Sequence, residues 1–185
     1  KNLLTKKLFL NLEVPGMKLL RITADGLPLF KEKLDICFYA QQRVSEDQKD
    51  ILYPLFSNIN LNPANGFIGI NASGKTSVLK VILLSLGILN NEPINHIETK
   101  DILGNAQKAV LNIFFYSESK MEICRLETMI TSRQTKTEGI VYKILSEKLW
   151  SKQTDEVITR KSLLDFDGKD PVMIRSGQED FLSDD

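Results

Sequence analysis

Gly69-Ile70-Asn71-Ala72-Ser73-Gly74-Lys75-Thr76 is the stretch on which the reading of this chain turns. It satisfies the pattern G-x-x-x-x-G-K-[ST], and it stands between a short apolar run at residues 67–70 and an apolar helical pattern from residue 74 onward. That context predicts a strand, a phosphate loop and a helix. The two glycines permit a tight nest whose backbone N–H groups point at a phosphate, and the positive end of the following helix adds to the attraction. Lys75 offers a point charge to β- and γ-phosphates, and Thr76 offers a hydroxyl to Mg²⁺.

Working outward, the helical pattern runs over residues 74–89, with Val78, Leu79, Ile82, Leu83 and Leu86 on one broad apolar face. Gly87, Asn90 and Asn91 end it, and Pro93 forbids continuation. Before the loop, periodicity predicts a strand over residues 18–24, a turn at Asp25-Gly26-Leu27-Pro28 and a second strand over 33–39, an opening hairpin. Ile51, Leu52, Leu55 and Phe56 follow the acidic Glu46 and Asp47 at helical spacing, so a short helix interrupted by Pro54 is expected there. Residues 58–66 read as a loop rich in Asn, Pro and Gly. After the helix, residues 109–116, 120–130 and 139–149 are β-rich and joined by polar turns, an antiparallel meander. A charged turn at 165–170 precedes a last short strand at 171–175.

Composition agrees with a soluble globular domain: 185 residues, 42% hydrophobic, with 24 basic residues against 24 acidic ones. Zero net charge leaves no global field toward nucleic acid, so any such contact must be local. The longest apolar run, 78–89, contains Lys80 and Ser85 and is too short to cross a bilayer. Cys37 and Cys124 lie 87 residues apart in apolar surroundings, which suggests buried thiols in a reducing, cytoplasmic compartment. Met17 looks like a natural beginning, and residues 1–16 read as a leader, a tag or an extra strand that carries no part of the mechanism.

Four features make the chain resemble the ABC-type ATPase heads of the SMC, RecF and double-strand-break repair coiled-coil proteins, with their OLD-like and phage-defence relatives. Asn71 at the third loop position matches the G-x-N-x-[SA]-G-K-[ST] version of the loop. An opening hairpin carrying Leu29-Phe30-Lys31 and Leu34-Asp35-Ile36 precedes it. A meander follows the helix, where a simple parallel fold would repeat βα units. Finally, Met173-Ile174-Arg175-Ser176-Gly177-Gln178-Glu179-Asp180 is similar to the Q-loop of the repair-type heads, with Gln178 103 residues after Lys75.

The resemblance implies an α/β P-loop NTPase fold, in which residues 17–185 form the N-terminal lobe of the ATPase domain. It implies Mg-ATP as ligand, cradled by Gly69, Asn71, Ala72, Ser73, Gly74, Lys75, Thr76 and Ser77. Lys75 and Gln178 would serve the γ-phosphate, and Thr76 and Gln178 would hold the Mg²⁺. The implied partners are a C-terminal lobe and a second head that closes on ATP binding. DNA is the usual context of such heads, and Arg133, Lys136, Lys143, Lys148 and Lys152 are the basic residues available for it. No membrane is implied.

The sequence also departs from the family. It has no apolar run ending in Asp-Glu, no Leu-Ser-Gly-Gly-type signature and no switch histidine, and residues 40–64 are a longer insertion than most such heads carry. These absences suggest part of a longer ATPase whose remaining lobe supplies the carboxylate that activates water. His96, the sole histidine, suits a surface or packing role. Three other readings stay open: a nucleotide-binding module without catalysis, a GTPase using Asp165-Phe166-Asp167-Gly168 as D-x-x-G, and a small-molecule P-loop kinase. No N-K-x-D motif supports the second, and the meander does not suit the third.

Overall fold

The computed structural model describes residues 16–42, 44–45, 50–69, 74–137 and 139–176. It is an α/β protein dominated by antiparallel sheet. Among the described residues the strands are β1 (Met17–Asp25), β2 (Leu34–Cys37), β3 (Tyr53–Phe56), β4 (Ile59–Leu61), β5 (Ala109–Ser117), β6 (Glu122–Thr135), β7 (Gly139–Gln153) and β8 (Met173–Ser176), with one α-helix, α1 (Lys75–Leu89). Six strands form one sheet in the order β2-β1-β5-β6-β7-β8, and every neighbouring pair is antiparallel. Among the described residues there is no parallel pair of the kind that makes the core of a P-loop NTPase fold.

Both faces of the sheet are covered, which the period-two alternation of its strands requires. On one face, Ile22, Ala24, Leu111, Ile113, Phe115, Leu126 and Ile130 meet Val81, Leu84, Ile88 and Leu89 of α1. On the other, Leu20, Phe114, Tyr116 and Ile123 meet Ile59 of the β3–β4 hairpin and Leu163 and Phe166 of the segment after β7. A register shift between Leu19 and Arg21 makes the transition in β1. The bulge turns Leu20 and Arg21 toward the same face, so an aliphatic side chain and a charged one share it.

The helix is stopped by side-chain and backbone chemistry together. Asn91 adopts φ 58, and the Glu92 and Asn91 N–H groups donate to the carbonyls of Gly87 and Ile88 at 3.0 Å each. This is a Schellman closure with asparagine in the left-handed position. Gly87 has a further reason to lack a side chain: a Cβ there would lie 2.9 Å from Ile97 Cδ1. The Asn95 amide then bonds both the N–H and the carbonyl of Tyr142 at 2.9 Å, fastening the post-helix turn to β7.

The opening hairpin, the helix, the meander and the last short strand stand near their expected positions, with longer meander strands than periodicity indicated. Three expectations are corrected. Residues 58–66 are not all loop, since Ile59–Leu61 is a strand. Residues 51–56 do not form a helix: Tyr53–Phe56 is a strand paired with β4 through a turn at Ser57, φ 46. Pro54, which no helix interior accepts, fits an edge strand whose N–H is not required. Within the insertion at 40–64, residues 53–61 are therefore a hairpin that covers the second face of the sheet. Residues 64–69 have no regular structure, so the apolar stretch at 67–69 is not a strand, and Phe67 and Ile68 are exposed. The segments expected at 1–15 and 177–185 lie outside the described residues.

Candidate functional site

The start of α1 is chemically bare. Its N-cap, Gly74, sits at φ 85 and ψ 9, offers no side-chain cap, and no acidic residue stands in the first turn. The first N–H groups of any helix lack intrahelical acceptors, and here no carboxylate or hydroxyl takes that role as N-cap. Only a residue without a Cβ holds that left-handed conformation at little cost, so Gly74 fits the bend from loop into helix. The partial positive charge of the helix start and Lys75 thus lie together at this end of α1.

Lys75 reaches back across the loop: its Nζ donates to the Gly69 carbonyl at 2.8 Å. That bond brings the first glycine of the motif to the lysine that follows the second. An ammonium gains more from a phosphate, a full charge with several acceptors, than from a carbonyl dipole. Thr76 is exposed and Ser77 half-buried beside it. Ile70, Asn71, Ala72, Ser73 and Gln178 lie outside the described residues, so Gly69, Gly74, Lys75, Thr76 and Ser77 are the motif positions the structure places.

α1 is apolar on both sides. Val81, Leu84 and Ile88 face the sheet and are buried, whereas Leu79, Leu83 and Leu86 on the opposite side are 48%, 54% and 39% exposed. The apolar face read from the sequence is therefore largely the outward one, with only Val78 and Ile82 at its border touching the core. A helix apolar all round is ordinarily enclosed on both sides. Phe67 and Ile68, just before the glycine-lysine motif, add to the exposed apolar surface. Lys80 holds the helix to the 3₁₀ turn Glu98–Leu103 through Asp101 at 2.5 Å.

Other sequence candidates fall away from this point. Asp165 accepts the Asp167 N–H at 2.9 Å in a turn whose Phe166 is buried in the core on the sheet face away from α1. The D-x-x-G motif is thus turn chemistry on the wrong side of the sheet. His96 is exposed, and no cluster of His, Cys, Asp or Glu among the described residues could hold a metal. Lys152 is corrected as a DNA contact: it is buried, its Nζ donates to the carbonyls of Ser162 and, at 2.6 Å, Asp165, and it lies over the Phe166 ring. Desolvation lowers its pKa. Arg133 and Lys136 do lie exposed near the β6–β7 turn. Phe30 and Phe38 are half-buried against the core on the α1 face.

Sequence reasoning passed over one buried polar cluster, in which Glu147, Arg175 and Thr128 meet on the sheet face that carries α1. Its only sequence signal is a charged residue at an inward position of each of two strands. No helix among the described residues is long and apolar enough to cross a membrane. No family model matches the chain, and neither a curated protein nor a solved structure is found similar to it.

Proposed function

We propose that this chain binds Mg-ATP as the N-terminal lobe of an SMC/RecF-like ABC-type ATPase head, coupling nucleotide-driven head dimerisation to DNA or partner engagement. The observation that carries the reading is the G-x-N-x-S-G-K-T stretch leading into an uncapped helix that lies on an antiparallel sheet. Gly69 and Gly74 allow the backbone to wrap a phosphate, and Lys75 moves from the Gly69 carbonyl to the anion. The donor set suits a magnesium-bound triphosphate: an exposed Thr76 hydroxyl one residue from the lysine, with no first-turn carboxylate to repel the anion. Thr76 and Gln178 would hold the Mg²⁺, which supplies charge neutralisation between the β- and γ-phosphates.

The apolar outward side of α1 supports a second lobe as partner. Leu79, Leu83 and Leu86 would pack under it, and it would bring the water-activating carboxylate that this sequence lacks. Alone, the chain holds nucleotide without steady turnover, which is also the prediction of a purely binding module. Displacement of a fluorescent nucleotide by Mg-ATP and by Mg-GTP, paired with a phosphate-release assay, tests this. ATP preference, loss of binding in Lys75→Ala and no release support the proposal. GTP preference, or steady release by this chain alone, overturns it.

A further inference from the structure

α1 is too short to cover the sheet face on which it lies. Its 15 residues span about 22 Å, whereas the 14 residues of β6 and the 15 of β7 span about 50 Å. Beside Leu89, where the helix ends, a cavity of about 430 Å³ remains. Phe115, Cys124 and Leu126 form its buried floor, and half-buried Met17 and Leu149 stand at its sides. That volume falls among those of small-molecule sites, which are mainly apolar with a few hydrogen-bonding groups. The signs of the charged residues lining it cancel, Lys120 and Lys152 against Glu122 and Glu156. Lys152 turns its Nζ to the other face, onto the carbonyls of Ser162 and Asp165, and Glu156 is held by Lys169. Glu122 accepts from Gln153 Nε2 at 2.9 Å and offsets the exposed Lys120 at the rim. The floor resists charge as well, since burial pushes the Cys124 thiol up to about 11 from an ordinary 9.0. Ser117, Ser119 and Ser151 bring hydroxyls, which both donate and accept hydrogen bonds.

We infer that this cavity binds an uncharged small molecule with an apolar body and one hydrogen-bonding head, its body on Phe115, Cys124 and Leu126 and its head at the serines. The balanced rim and the apolar floor select against ions of either sign, and the hydroxyls select an alcohol, ketone or amide over a bare hydrocarbon. The site lies at the C-terminal end of α1, the end opposite Lys75, so the inference stands apart from the proposed nucleotide site.

The test titrates the full chain, isotope-labelled for amide NMR, with octanol, and compares octanoate and octylamine of the same chain length. The expected result is a saturable, one-to-one set of shifts confined to residues around Phe115, Cys124, Leu126 and Leu149, with both charged analogues several-fold weaker. Ser151→Leu fills the cavity and removes a hydroxyl. It should weaken octanol binding several-fold while the amide shifts of Lys75 and Thr76 stay as in the wild-type chain. Leu149→Phe is the filling variant should Ser151→Leu not fold. Shifts that are absent, that do not saturate or that spread over both faces of the sheet overturn the inference. So does octanoate or octylamine binding as tightly as octanol, or octanol binding undiminished in a folded, filled variant.

Discussion

Replacing Leu84 and Leu83 by alanine, one at a time, separates the two sides of α1. Leu84 is fully buried and Leu83 is 54% exposed, though they are adjacent on the same helix and identical in helix propensity. Leu84→Ala removes a packed side chain between helix and sheet, and with the cavity it leaves should cost about 3 kcal/mol. Leu83→Ala removes a side chain that is already half in water and leaves no enclosed void. Full burial of a leucine is worth about 1.5–3 kcal/mol, so its loss here should cost no more than about 1 kcal/mol. At about 2–4 °C per kcal/mol for a chain of this size, Leu84→Ala should melt about 6–12 °C below wild type and Leu83→Ala within about 4 °C of it. Urea unfolding with an unchanged slope checks that both remain two-state. Equal losses in a monomeric chain would refute the orientation of the helix. An oligomeric chain would show that Leu83 is already covered, and sedimentation distinguishes that case.

Three other outcomes follow from particular residues. Gly26→Ala should be severely destabilising, because its Cβ would lie 2.1 Å from the Lys108 carbonyl oxygen, whereas Gly74→Ala meets no atom of the described residues within 4 Å and should cost about 1–2 kcal/mol for its left-handed backbone, as thermal melts would show. Hydrogen bonding from the Arg21 guanidinium holds the Asp35 carboxyl below its usual range, so its stabilisation is present above the ordinary aspartate value and fades as pH falls through the lowered one. Asp35→Asn should therefore flatten the acid limb of a urea-midpoint profile below about pH 4. Burial pushes the Cys124 thiol up to about 11 from an ordinary value of 9.0. Stability should then fall as pH rises across that interval, since only the unfolded thiol ionises freely, and alkylation of the native chain near neutrality should label half-buried Cys37 first.

Much of the sheet was legible because its strands alternate. Ile113 and Phe115 point one way and Phe114 and Tyr116 the other, and a strand apolar on both faces announces that both are covered. The turn after α1 was legible too, in Asn90 and Asn91. Residues 51–56 were misread because a run that short satisfies helical and strand spacing alike, and tertiary pairing with β4 decided it. The buried polar cluster at Glu147 was illegible for another reason: a buried charge has meaning only beside its partner, and Arg175 lies on a separate strand, brought opposite by register alone.

Under the proposed function, two departures from the sequence reading share one cause. An apolar run becomes a strand only if a neighbour satisfies its backbone, and residues 67–69 have none among the described strands. The broad apolar face of α1 likewise stays in water because the sheet takes the opposite side of the helix. A second lobe that laid a strand beside 67–70 and packed on Leu79, Leu83 and Leu86 would resolve both at once. It would also hold the two ends of the phosphate loop, one in a strand and one in the helix. The affinity of the loop for nucleotide and the affinity of the helix for that lobe would then be coupled, each ligand raising the other's binding by the same factor. Leu83→Glu provides the check. In this chain alone it should leave both melting temperature and nucleotide affinity near wild type, yet it should abolish any gain in nucleotide affinity that an added C-terminal lobe confers. A gain that survives Leu83→Glu would place the lobe elsewhere and leave the outward face of α1 without its explanation.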